Sequence, residues 1–292
     1  MIYISSSCIR GKRICDVVRM LAQEGFKQIE LSGGTSYYPD IFEDLIALRR
    51  EYGLTYACHS YFPPPQKDFV VNLASCNDEI YRRSIRHYES CIRRLPDIGC
   101  SVLSIHSGFF LELSPDELGS RVRTKIEYDI SEGTKRFCDA YERICGLARE
   151  HGVTMYLENN VMDYDNFERG GRRTLVMMVD SASILALKKQ LDFNLLLDLG
   201  HLNATCYSLG KDFEQEARLL APYAQWFHLS NNDAVADQHQ PLTEDCAVTK
   251  IYRSIARSGC NVTLETKGSM EKITESYRIV KSVDANGTAA AF

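Results

Sequence analysis

Residues 226–242 read WFHLSNNDAVADQHQPL, an apolar strand end followed by a polar loop that carries a second histidine. Phe227 and Leu229 alternate with His228 and Ser230, so a period of two points His228 to the face opposite its apolar neighbours. Asn231, Asn232 and Asp233 have short polar side chains that end strands and favour turns, and Asp237 stands close before His239. Imidazole and carboxylate together suit a divalent cation of borderline hardness. A single strand-end histidine is more often a hydrogen-bonded structural residue than a ligand. Whether other strands end in the same way therefore decides the matter.

They do, in both directions along the chain. Upstream, FNLLLDLGH is a strand ending at Asp198 with His201 just beyond, and VTMYLENN is one ending at Glu158. SVLSIHS ends at His106 and LTYACHS at His59, while QIELSG and the short run Ile2–Ser5 precede them, with Glu30 near the end of the former. Downstream, NVTLETKG ends at Glu265. Between these runs the apolar spacing predicts helices over about 14–24, 38–52, 77–98, 128–151, 175–189, 212–220, 248–258 and 270–283, several of them stopped by glycine. After His59 the prolines of YFPPPQKDFVVNLAS exclude helix until Asn77.

Strands alternating with helices eight times over predict an α/β fold, a single (β/α)8 TIM barrel. An open doubly wound sheet is disfavoured because no Gly-rich phosphate fingerprint follows the first strand. The 292 residues, 45% hydrophobic, suffice for one large core, and the absence of a linker favours one domain over 1–283 with an unstructured tail over 284–292. A formal charge of −5 argues against a dedicated polyanion binder. The 11 cysteines are scattered with no CxxC pair, so a reducing, cytoplasmic setting is expected rather than a disulfide framework or zinc ribbon. No signal peptide or membrane span is read in the sequence.

All strand ends of such a barrel face one mouth, where its loops build the active site. Five of the seven histidines lie on or just after those ends, beside Glu158, Asp198, Asp237 and Glu265. His87 and His151 fall on predicted helices and read as solvated. A metal site at the mouth is the expectation.

The pieces CHSYF, NLAS, SIHSG, LENN, LDLGH, FHLSNND, DQH and LET, in this order, resemble the xylose isomerase-like superfamily of sugar phosphate isomerases and epimerases, with endonuclease IV as a sister group. In the epimerase branch the resemblance implies one divalent ion held by Glu158, Asp198, His228 and Glu265, with the two glutamates also carrying the proton. The implied reaction is proton transfer next to a ketose carbonyl through a metal-stabilised enediolate, giving epimerisation or aldose–ketose isomerisation. His59, His106 and His201 would then bind substrate oxygens. In the nuclease branch His59, His106, His201, Asp237 and His239 complete a trinuclear zinc cluster acting on abasic DNA, and this sequence holds them all. Manganese or zinc leads the expected metals, ahead of cobalt, iron and magnesium. The expected substrate is a sugar or sugar phosphate, with no membrane or nucleic-acid partner and with a homo-oligomer allowed. After DQHQPL the sequence departs from both branches, since TEDCA replaces a glycine-bearing turn.

Arg172 and Arg173 in ERGGRRT are candidates to clamp a phosphate, although a solvated loop is the stronger reading. Lys267 alternates back to the face of Glu265 and is a candidate for a substrate oxygen or phosphate. Tyr37, Tyr38, Tyr61 and Phe62 are candidates to wall a sugar pocket. The arginines at 82, 83, 86, 93 and 94 read as the solvated face of an outer helix. Lys67 is the one cation in the loops after the second and third strands.

Overall fold

Each apolar run forms a strand: β1 Ile2–Ser5, β2 Gln28–Leu31, β3 Thr55–His59, β4 Val102–His106, β5 Thr154–Glu158, β6 Asn194–Asp198, β7 Ala224–Leu229 and β8 Asn261–Leu264. In the computed structural model, which describes residues 1–256 and 259–287, these strands pair in chain order, all parallel, and β8 returns to β1 to close the barrel. Around it lie α1 Ile14–Gln23, α2 Ile41–Tyr52, α3 Asp78–Arg94, α4 Ile130–Glu150, α5 Tyr164–Arg169, α6 Ser181–Lys188, α7 Leu199–Leu209, α8 Phe213–Leu220, α9 Ala247–Ile255 and α10 Met270–Gly287. Among the described residues, no helix is long and apolar enough to cross a membrane.

The period of two sorts each strand between two environments. On β7, Phe227 packs its ring edge-on against Tyr252 of α9, whereas Trp226 and His228 turn inward. Inside, Tyr3, Ala57, Leu196 and Trp226 form a buried layer, with Trp226 5.0 Å from the Tyr3 ring and 5.4 Å from that of Tyr156. This layer plugs the barrel, and burial of each such large side chain stabilises by about 1.5–3 kcal/mol. The polar residues two positions further along the same strands therefore face one another above an apolar floor. A second, larger core of Ile, Leu, Val and Phe lies between the strands and the helices.

Capping residues explain where the helices differ from the expected spans. Pro39 keeps Tyr38 out of the helix, so α2 starts at Ile41. Asp129 accepts from the Glu132 N–H and starts α4 at Ile130. Asp180 and Ser183 form a reciprocal capping box that starts α6 at Ser181, and the preceding residues are not helical; Val176 bridges to Phe109 instead. The sequence pattern did not anticipate α5 or α7. Helix α10 runs to Gly287, past the expected boundary at 283, and residues 288–292 of the expected tail lie outside the described residues.

His87 is not the solvated residue expected. Its ring packs edge-on against Phe69 and Tyr88, its Nε2 is buried without a hydrogen-bond partner, and burial beside Arg83 lowers its pKa to about 4. The unfolded chain takes up a proton on this group near pH 6.5, whereas the folded protein resists until about 4. Its contribution to stability is thus complete above pH 6.5 and is lost as the pH falls through that window. We expect His87→Leu to lose about 1–2 kcal/mol less stability than the parent between pH 7 and 5, measured by urea unfolding. Identical pH dependence in both proteins would contradict it.

Candidate functional site

The strand ends bring all nine sequence-predicted acids and histidines together. Glu158, fully buried at the end of β5, is the hub. One of its oxygens, Oε2, lies 3.3 Å from His59 Nε2 and 3.2 Å from His106 Nδ1. The other, Oε1, lies 3.3 Å from His228 Nδ1 and 3.6 Å from His201 Nδ1. Glu265 Oε2 is 3.8 Å from the same His228 Nδ1 and 3.9 Å from His239 Nδ1. Asp237 Oδ2 bridges outward, 3.0 Å from His239 Nε2 and 3.4 Å from His201 Nε2, and Asp198 Oδ2 is 3.9 Å from His201 Nε2.

Local structure aims these groups. Asp198 ends β6 and caps α7: its Oδ1 accepts from the His201 N–H at 2.7 Å, which leaves Oδ2 toward the site. Asn159 clamps the Asp198 backbone, accepting from its N–H at 2.8 Å and donating to its carbonyl at 3.1 Å. A side chain at Gly200 would meet Ser230 Oγ at 2.6 Å, so glycine permits the close approach of α7 to the end of β7. His201 Nδ1 lies 2.9 Å from the Asn159 carbonyl, to which it can only donate, so in the neutral ring Nε2 keeps its lone pair. The Ser104 hydroxyl donates to the Cys58 carbonyl and accepts from His59 Nδ1 at 2.9 Å, which turns the lone pair of His59 Nε2 inward. His239 has a left-handed backbone, φ 50°, unusual for a non-glycine residue. The bridge between Asn231 and Gln240 and the hydrogen bond from the Lys267 N–H to the His239 carbonyl hold it there. The departure at TEDCA thus leaves His239 facing the site.

The set is starved of hydrogen bonds. Both oxygens of Glu158, Asp198 Oδ2, Asp237 Oδ1 and the Nδ1 atoms of His106, His228 and His239 are buried without hydrogen-bond partners. Burying ionised carboxylates without compensation is costly, so converging unsatisfied oxygen and imidazole donors fit a divalent cation. Three groups, His59 with His106 and Glu158, Glu158 with Asp198 and His228, and Glu30 with His59 and His228, each place their donor atoms within 4.8 Å of one another. Without a cation, burial lifts Glu158 to about 7 against the pull of His228 and His201. Burial and neighbouring imidazoles hold His59 and His106 well below their ordinary value. Burial would lower His228 and His201 too, but the surrounding carboxylates raise both well above it. Burial opposes ionisation of Asp237, yet His201 and His239 hold its carboxyl well below the usual range.

Above the site is a cavity of about 900 Å³ roofed by the segment after β4. Buried Glu117 organises that roof, accepting from the N–H groups of Ser114, Arg123 and Thr124 and from the Ser114 hydroxyl. Lys267 and Arg173 line the cavity, Arg173 being tied to Glu127. Arg172 does not line it; it pairs with Glu168 at 3.2 Å. Of the four aromatics, Tyr61 lines the cavity, Phe62 is core, and Tyr38 stands against Cys15 under the Arg13 guanidinium. Tyr37 is exposed and outside the lining.

Three contributions escaped the sequence pattern. Glu30 is buried, with Oε2 3.2 Å from His228 Nε2, and the period of two in QIEL could have turned it inward. Asn159 was visible only as part of LENN. Arg121, Arg123, Lys125 and Arg169 also line the cavity, from irregular or short segments without a periodic signal.

Residues 18–283 match the family described as xylose isomerase-like TIM barrel, and the chain belongs to it. Among solved structures it is similar to a D-tagatose 3-epimerase-like protein, with 18% identity, TM-score 0.73, and 100% of this chain and 99% of that one covered. A D-psicose 3-epimerase with D-tagatose from Clostridium cellulolyticum gives 15% identity, TM-score 0.61, and coverage of 99% and 96%. Endonuclease IV from Thermus thermophilus gives 13% identity, TM-score 0.58, and coverage of 98% and 99%. No curated protein matches the sequence.

Proposed function

We propose that the protein is a divalent-metal-dependent isomerase or epimerase of a sugar or sugar phosphate. Glu158, Asp198, His228 and Glu265 are the residues that hold the ion, manganese or zinc by their mixed oxygen and imidazole donors. When bound there, such an ion supplies electrophilic polarisation of a carbonyl and its neighbouring hydroxyl. Glu158 and Glu265, which approach the same His228 nitrogen, are the carboxylates that take a proton from the carbon beside that carbonyl and return it. His59, His106 and His201 contact substrate oxygens, and Lys267 lies on the cavity wall for an oxygen or phosphate. The observation that carries this proposal is the cluster of unsatisfied carboxylate and imidazole atoms around buried Glu158, directly beneath His59, His106, His201 and Glu265, which line a roofed cavity. Its volume of about 900 Å³ is within the range of roughly 300–1,000 Å³ usual for small-molecule sites. The structural similarity to sugar 3-epimerases supports it. The scattered cysteines suit a reducing, cytoplasmic setting.

One observation favours a second reading, an endonuclease IV-like phosphodiesterase: His59, His106, His201, Asp237 and His239 join the same cluster, under a rim rich in cations. Much of that rim is neutralised by the protein's own acids, Arg123 by Asp116, Arg169 by Asp165 and Arg173 by Glu127. A duplex needs free cations to gather its phosphates. The test is metal-loaded protein against a panel of ketoses and ketose phosphates, with abasic duplex DNA in parallel. We expect an epimer or aldose to form, chelator to abolish it, and the DNA to stay intact. Efficient incision with every sugar unchanged would replace the first reading by the second.

A further inference from the structure

Glu30, Thr263 and Trp226 form a hydrogen-bonded chain beneath His228 whose direction is fixed by chemistry. The indole Nε1–H can only donate, and it donates to Thr263 Oγ1 at 2.9 Å. The threonine proton is thereby free to go to Glu30 Oε2, also at 2.9 Å. That same oxygen lies 3.2 Å from His228 Nε2, which must be the protonated ring nitrogen to meet a carboxylate. In the neutral ring, the form that binds a cation, His228 Nδ1 is then the atom with the lone pair, buried without a hydrogen-bond partner, 3.3 Å from Glu158 Oε1. All four residues are buried, and His228, Thr263 and Trp226 lie on neighbouring strands with His228 in register with Thr263.

We propose that Glu30 is the positioning residue that fixes the tautomer and ring orientation of His228 for cation binding, and that the chain's single tryptophan, joined to it through Thr263, senses occupation of the site. The proposal rests on the metal reading of the site. When His228 binds a cation through Nδ1, its Nε2–H becomes a stronger donor to Glu30. The shared oxygen then accepts less from Thr263, and the threonine oxygen's bond to the indole changes in turn. Indole emission responds to such a change at Nε1.

The test is Zn²⁺ titration of the full-length protein, with uptake measured by chelator competition and, separately, by Trp226 emission. In the parent we expect saturable uptake with a parallel change in emission. Glu30→Ala should weaken Zn²⁺ binding about 10–100-fold. Glu30→Gln, which keeps an oxygen for both bonds, should lose less than about tenfold. Thr263→Val should bind Zn²⁺ with most of the emission response gone. Folded Glu30→Ala protein with parent affinity overturns the positioning role, and an undiminished response in Thr263→Val overturns the sensing role. If Glu30→Ala does not fold, Glu30→Gln decides positioning: a loss as large as that of a direct ligand, Asp198→Asn, would overturn it. Parent protein that takes up no Zn²⁺ overturns the metal reading itself, an outcome distinct from the others.

Discussion

Glu158→Gln and Glu265→Gln proteins saturated with manganese are expected to turn over about 10²–10⁴-fold more slowly than the parent. Glutamine keeps the size of the side chain and one oxygen but cannot accept a proton. If these carboxylates only held metal, excess ion would restore most of the rate. Asp198→Asn is the comparison: Asp198 Oδ1 already caps α7, so its loss acts through the orientation of Oδ2 and weaker metal binding. Added manganese should recover much of that variant's activity while leaving the glutamine variants slow. Near-normal turnover by either metal-saturated glutamine variant would remove the proton-carrying role.

Metal removal is expected to have the largest effect on stability. Ion present at about 1,000 times its dissociation constant stabilises the folded state by about 4 kcal/mol, or roughly 8–16 °C in Tm. The size of the gap depends on pH with a definite sign. In the metal-free protein burial raises Glu158 to about 7, above its unfolded value, so its contribution to stability is present at low pH and is lost as the pH rises through 7. The raised values of His228 and His201 act in the same direction. Metal binding needs Glu158 and the Nδ1 of His228 deprotonated, so loaded protein gains as the free protein weakens. The Tm difference between loaded and chelated protein should widen from pH 6 to pH 8; a constant or narrowing difference would show that the cluster is not the metal's site.

The barrel was legible because strand and helix periods differ and six consecutive runs end in the same polar chemistry. His228 shows why: two apolar neighbours on a strand suffice to turn it inward. Helix α7 was hidden for the opposite reason. Leu199–Leu209 is buried on nearly every side, so it shows no apolar stripe to set it apart from the strand it follows. The roof after β4 is held by one buried acid, Glu117, accepting from neighbouring backbone, a pattern with no period. Glu30 was readable as inward-facing, but its partners Thr263 and His228 are more than 190 residues away, so its role depended on closure of the barrel. His87 was misread because a histidine on an arginine-rich helix looks solvated until Phe69 from the preceding loop covers it.

Proton transfer at carbon is the central claim, and solvent exchange measures it most directly. Metal-loaded protein incubated in D₂O with its ketose or ketose phosphate is predicted to place deuterium on the carbon beside the carbonyl, in step with epimer or aldose formation. Chelated protein should place none. Sugar conversion without any carbon-bound deuterium, or incision of abasic DNA by protein that exchanges no sugar proton, would contradict it.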